Sequence, residues 1–212
     1  MTSQAARINM IKQQCRAWGV LDDDILNLFN EVPREHFVPH RFEGLAFSDT
    51  QIPLGHDQVM LSPKEEARIL EALTIQPHER VLEIGTGSGF FAALLAQKAK
   101  HVDTIDIFED FTETAARKLS ELNIHNVTVQ LADGMLGYKK NTHYDVIVIT
   151  SSVLEIPKHI IHQLSEHGRL FVFIGDKPLV EATLVSHHKT EKLFETWVPA
   201  VIEVEKRNAF HF

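Results

Sequence analysis

One cysteine, Cys15, stands in 212 residues, so the chain can build neither an internal disulfide framework nor a cysteine-based zinc cluster. A reducing compartment follows as the expectation. No stretch approaches the ~20 consecutive apolar residues that a bilayer-spanning helix needs; the longest, residues 90–96, has the length of a buried helix. The opening MTSQAARINMIKQQCRAWGV lacks the apolar core and cleavage site of a secretory signal, which points to a cytoplasmic protein. Basic charge is also scarce. Against 29 Asp and Glu stand 21 Lys and Arg, a net charge of −8, and such a chain has no electrostatic footprint for a phosphate backbone. Neither nucleic acid nor membrane is therefore expected as a partner, and nothing in the composition sets the oligomeric state. Gly/Ser linkers, low-complexity tracts and internal repeats are missing too. What remains, 44% hydrophobic and 24% charged residues, is the make-up of a globular protein with a proper core.

The length suits one α/β domain with an appendage, residues 1–212, in three zones. Residues 1–76 carry helical periodicity. Ile8, Ile11, Cys15 and Trp18 recur every three or four positions before Gly19, and Ile25, Leu26, Phe29 and Val32 follow a cap at Asp22 or Asp23. Breakers make residues 39–63 loop-like, and Ala67, Ile69, Leu70 and Leu73 mark a third helix. Residues 80–175 alternate apolar strands (81–85, 101–107, 127–133, 144–150, 168–175) with helices (90–98, 111–122, 156–164). Near-continuous apolar strands alternating with helices mean a parallel sheet covered on both faces. Residues 180–212 resemble an antiparallel hairpin turning around His187–Glu191.

The informative stretch is VLEIGTGSG, residues 81–89, where a strand runs straight into a glycine-rich turn that opens a helix. Glycines allow a tight bend and let a ligand approach where a Cβ would collide. The helix N-terminus adds unpaired amide donors, suited to a carboxylate or phosphate. A dinucleotide fingerprint would require Gly or Ala where Phe90 stands, and the Gly-Lys-Ser/Thr of a P-loop is absent. An acidic partner follows 106 − 85 = 21 residues on, as Asp106 at a strand end. Its carboxylate can accept both hydrogen bonds of a ribose diol. Asp133-Gly134, at the next strand end, offers an acceptor to an adenine amino group. These features line one crevice at the switch point of an open sheet.

The pattern resembles the class I S-adenosylmethionine-dependent methyltransferases. That resemblance implies a Rossmann-like, doubly wound, mostly parallel sheet with an antiparallel C-terminal hairpin and an N-terminal helical extension. It places Glu83, Gly85, Thr86, Gly87, Ser88 and Gly89 around the methionine part of S-adenosylmethionine. Asp106, with Ile107 beside it, falls at the ribose, and Asp133 and Gly134 fall at the adenine ring. Further blocks (MIKQQCRAWGV, NEVPREHFVP, LAFSDTQIPLGHDQ, ADGMLGY, YDVIVIT, HGRLFVFIG) are similar to the protein-L-isoaspartate O-methyltransferases over about residues 10–200. That family methylates the free carboxylate of isoaspartyl residues and so starts the repair of aged proteins. The resemblance implies such an enzyme, with S-adenosyl-L-homocysteine as product and a damaged protein or peptide as substrate. Two alternatives stay open: a methyltransferase with a different small-molecule or protein acceptor, and a cofactor-binding homologue impaired in catalysis.

The family's acceptor loop, G-x-G-Q-T-I-S-x-P, puts Thr and Ser hydroxyls at the reacting centre. Here residues 55–63 read GHDQVMLSP, so Val59 and Leu61 occupy the Thr and Ser positions while Gln58 and Pro63 keep theirs. Ser62, one position late, is the candidate catalytic hydroxyl. It also heads a capping box, with Pro63 first and Glu65 third in a helix. His56, Gln58, Leu61 and Ser151 are the expected acceptor contacts. No metal site is expected: His162 and His167 miss the i,i+4 spacing of one helix face, and His187 and His188 would point oppositely on a strand. Residues 22–24, all Asp, read as a helix N-terminal acid cluster, and Trp18 and Trp197 as packing residues.

Overall fold

A computed structural model describes residues 3–139, 142–187 and 189–202. The N-terminal zone opens with α1 (Ser3–Met10), a π-turn (Ile11–Cys15) and a 3₁₀ turn (Arg16–Trp18), ended by Gly19 at φ 90°. The expected single helix is thus three successive pitches, and Met10 and Cys15 are buried while Ile8 is exposed. Asp22 caps α2 (Asp23–Glu31) by accepting from the Asp24 and Ile25 amides. The short α3 (Arg34–Phe37) follows at once. Residues 39–63 hold more than a loop, since β1 (Ile52–Gly55) and β2 (Gln58–Met60) form a separate antiparallel hairpin. His56 and Asp57, at φ 51° and 56°, make its turn. Such turns favour Asn-Gly, so His-Asp carries little signal for one. Then comes α4 (Pro63–Leu73).

The core is β3 (Arg80–Ile84), α5 (Phe90–Lys98), β4 (His101–Asp106), α6 (Glu109–Glu121), β5 (Val127–Leu131), β6 (Tyr144–Val153), α7 (Lys158–Ile161) and β7 (Leu164–Asp176). After it run β8 (Leu179–Ser186) and β9 (Thr190–Thr196). The seven strands lie in the order β5-β4-β3-β6-β7-β8-β9, parallel from β5 to β7 and antiparallel beyond. This is the expected doubly wound α/β sheet with its antiparallel end. The chain steps outward from β3 to β5, then returns to lay β6 against the other side of β3. That reversal is the switch point, where the C-terminal strand ends part and leave a crevice.

Both faces are buried, which is why the strands read as unbroken apolar runs. Val146 and Val148 join one core cluster with α4 and α5, and Ile147 and Ile149 join another with Ile160 and Leu164. The helix expected over residues 156–164 shrinks to the one turn of α7, because Leu164 already pairs with Tyr144 as the start of β7. β6 runs to Val153, since Ser152 exchanges hydrogen bonds with Pro199 and Val201 of the C-terminal segment. His187 sits in the β8–β9 turn rather than on a strand, and His188 lies outside the described residues. Asp145 accepts from the Arg80 amide and the Ser165 hydroxyl, and Trp18 packs on Phe194 with ring centroids 5.0 Å apart. Among the described residues no helix is long and apolar enough to cross a membrane.

Candidate functional site

A cleft of about 880 Å³, open to solvent, lies at the C-terminal ends of β3, β4, β5 and β6. Glu83, Gly85, Thr86, Gly87, Ser88, Asp106, Ile107, Asp133, Gly134, Gln58, Leu61 and Ser151 all line it. Three expected site residues do not: Gly89, His56 and Ser62. Gly89 instead caps α5 at φ 83°, where an added Cβ would stand 2.8 Å from that of Ala115.

The glycine turn lines the cleft but spends most of its amides internally. Gly85 and Thr86 donate to the Ile105 carbonyl, and Gly87 donates to Asp106 Oδ2 at 3.0 Å. The expected row of unpaired donors is therefore largely taken up in tying β3 to β4. The glycines let neighbouring strands pack closely at this end of the sheet. A Cβ on Gly85, at φ 102°, would collide with the Thr150 hydroxyl. One on Gly134 would come within 2.5 Å of Ile84 Cγ2.

Acceptor groups dominate the polar wall. Thr86 Oγ1 lies 2.7 Å from Thr104 Oγ1, and Thr104 donates to Glu83 Oε2 at 2.6 Å. Fully buried Glu83 keeps its other oxygen, Oε1, without a hydrogen-bond partner among the described residues. Burial pushes the Glu83 carboxyl up to about 8. An orphaned carboxyl oxygen in a pocket wall is an acceptor awaiting a cationic or N–H donor. Burial likewise raises Asp106, against the pull of the Gly87 and Phe108 amides bonded to its two oxygens. Asp133 caps a short 3₁₀ turn through Oδ1, 2.9 Å from the Met135 amide, so its second oxygen remains for a donor.

The opposite wall is apolar: Leu54, Val59, Met60 and Leu61 from the hairpin, with Pro199, Val201 and Ile202 from the C-terminal segment. Ser62 turns its hydroxyl to Glu65 Oε2 at 2.7 Å, and the same oxygen accepts from the Ser62 amide at 2.8 Å. The serine therefore serves the head of α4. Beneath the loop, buried Arg34 donates to Glu66, to the Leu61 carbonyl at 2.6 Å and to the Ala46 carbonyl at 2.9 Å. Glu66 also reaches the cleft, where burial raises its carboxyl against the opposing pull of Arg34.

Several wall residues escaped the sequence reading. Phe108 and Phe111 follow Asp106 closely enough to be found by proximity. Glu66, Pro199, Val201 and Ile202, and Arg34 beneath the loop, arrive through tertiary packing and carry no local signal.

Among known proteins, the family model described as protein-L-isoaspartate(D-aspartate) O-methyltransferase matches residues 6–204. A protein-L-isoaspartate O-methyltransferase of Cronobacter sakazakii is 37% identical over 174 residues, 82% of this chain and 84% of that one. Its counterpart in Klebsiella pneumoniae is 36% identical over 171 residues, 81% and 82% of the two chains. A solved protein-L-isoaspartate O-methyltransferase superposes with a TM-score of 0.78 at 26% identity, covering 96% of this chain and 69% of its own. A Plasmodium falciparum structure assigned to the same activity, in complex with S-adenosyl-L-homocysteine, matches in fold with a TM-score of 0.77 at 17% identity, covering 94% and 98%. The match spans cleft, hairpin and sheet alike, and the chain belongs to the protein-L-isoaspartate(D-aspartate) O-methyltransferase family.

Proposed function

We propose that this chain transfers a methyl group from S-adenosylmethionine to the free carboxylate of an isoaspartyl residue in a protein or peptide. Residues 1–212 would act as one unit, since the hairpin, the parallel core and the C-terminal segment all supply cleft walls. The observation that carries the reading is the set of acceptors: an orphaned buried carboxyl oxygen on Glu83, then Asp106, then Asp133, at three successive strand ends. A nucleoside with a cationic amino-acid tail matches that order.

Bound S-adenosylmethionine supplies an electrophilic methyl group. Glu83 would accept from the tail ammonium, Asp106 from the ribose hydroxyls, and Asp133 from the adenine amino group. An acceptor carboxylate is already ionised at pH 7, with a pKa near 4, so no general base is needed. The chain's task is to orient two reactants and exclude water, which is worth several kcal/mol of barrier. Gln58 and Ser151 are the polar side chains offered on the acceptor side, and Leu61 shields it. The test is a peptide with one isoaspartyl residue, labelled cofactor and base-released methanol as readout, against the same peptide with ordinary Asp. Label in the isoaspartyl peptide alone is the expected result. No label in either peptide, with cofactor bound, transfers the acceptor to another chemical class.

A further inference from the structure

His56 is expected at the acceptor, and the hairpin tip carries it to the start of α6. Its imidazole lies on the ring of Phe108 with centroids 3.9 Å apart and planes 12° from parallel. It meets Phe111 edge-on at 5.3 Å, and Phe108 and Phe111 themselves lie 5.3 Å apart. Both phenylalanines line the cleft. His56 Nε2 is 3.0 and 3.1 Å from the two carboxylate oxygens of Asp110, in the first turn of α6, so that nitrogen carries the hydrogen and donates.

These contacts join the hairpin tip to the start of α6 at the edge of the cleft. The β1–β2 hairpin hydrogen-bonds to no other sheet. Its Leu54 Cδ1 lies 3.1 Å from where a Cβ on Gly87 would be, so the first strand passes directly over the glycine turn. Its second strand supplies Gln58, Val59 and Met60 to the wall and leads into Leu61, whose carbonyl Arg34 holds. One end of the strap is thus bolted down through Arg34 at the base of α4. The other end, the tip, is attached through His56.

We propose that His56 is a positioning residue that fastens this strap across the nucleoside half of the cleft, governing how long the cofactor stays and where Gln58 and Leu61 stand. The proposal rests on the cofactor reading above. Release of His56 from Phe108 and Asp110 frees the hairpin tip and widens the way out for a ligand beneath it. Aromatic stacking supplies the larger attachment, because the exposed pair with Asp110 is weakened by water and salt.

The experiment compares wild type, His56→Ala, His56→Phe and Asp110→Asn in two measurements. One is the dissociation rate of S-adenosyl-L-homocysteine by stopped-flow fluorescence. The other is hydrogen exchange over residues 52–60 in the ligand-free protein. His56→Ala is expected to speed dissociation about tenfold, equivalent to about 1.4 kcal/mol, and to speed exchange in the hairpin but not in β3 or β4. His56→Phe, which keeps the stack, should restore most of both, and Asp110→Asn should show a smaller change of the same sign. If His56→Ala fails to fold, Asp110→Asn carries the test alone. Wild-type rates in the variants overturn the proposal while leaving the function intact. No binding of S-adenosyl-L-homocysteine by wild type overturns the function and the proposal together.

Discussion

Glu83 offers the sharpest test of the cleft's electrostatics. Its carboxyl is fully buried, one oxygen is held by Thr104, and the other has no partner among the described residues. Burial lifts it to about 8, so in the free protein it is mostly protonated at pH 7. A cationic ligand group beside Oε1 favours the ionised form, so binding must draw off a proton. Each pH unit below 8 then costs about 1.4 kcal/mol of binding free energy. Affinity for S-adenosyl-L-homocysteine should climb up to about tenfold per unit from pH 6 to 8, then level as Glu83 ionises unaided. Calorimetry in buffers of different ionisation enthalpy should count close to one proton released at pH 6.5 and few at pH 8.5. In Glu83→Gln the slope should vanish. Affinity at pH 8 should fall by roughly 1.5–3 kcal/mol, the usual worth of a hydrogen bond to a charged group. A flat wild-type profile with no proton release refutes the reasoning, because the buried carboxyl would then not be meeting a cation.

Other substitutions separate structural from functional parts. Arg34→Met removes the donor from the buried Glu66 carboxyl and from the Leu61 and Ala46 carbonyls, and should cost about 3–5 kcal/mol in denaturant unfolding at pH 8. Adding Glu66→Leu should recover part of that loss, the share due to the buried carboxyl. Leu61→Ser puts a hydroxyl donor in the cleft wall and, on the proposed acceptor placement, should raise isoaspartyl turnover by up to about 10²-fold, leaving the Kd for S-adenosyl-L-homocysteine unchanged. An unchanged rate would mean that position 61 has no part in holding the acceptor. Ser62→Ala removes a helix-cap hydroxyl and should lower stability by about 1 kcal/mol with kcat intact. A collapse of kcat without destabilisation would instead put Ser62 at the reacting centre.

The parts of the fold legible in the sequence are those set by local patterning. Residues 81–89 announce strand, turn and helix because the apolar run and the glycines lie side by side, and Asp106 and Asp133 stand out because each closes a strand-like run. The β1–β2 hairpin was missed because His56-Asp57 adopts positive φ without the Gly or Asn that would advertise it. The glycine-turn amides were misjudged for another reason. Whether an N–H is free depends on the neighbouring strand, and the carbonyl of Ile105 and carboxylate of Asp106 take up those of Gly85, Thr86 and Gly87. His56 was placed by its position in the loop, whereas the hairpin tip carries it to α6. Pro199, Val201 and Ile202 line the cleft only because their segment returns to Ser152, a long-range pairing that no local pattern encodes.

A crystal structure grown with S-adenosyl-L-homocysteine is the most direct test of the cleft. The nucleoside should lie between Asp106 and Asp133 beneath the hairpin, with the tail ammonium within hydrogen-bond distance of Glu83 Oε1. A ligand bound elsewhere, or a tail that leaves Glu83 Oε1 without a donor, would contradict that placement.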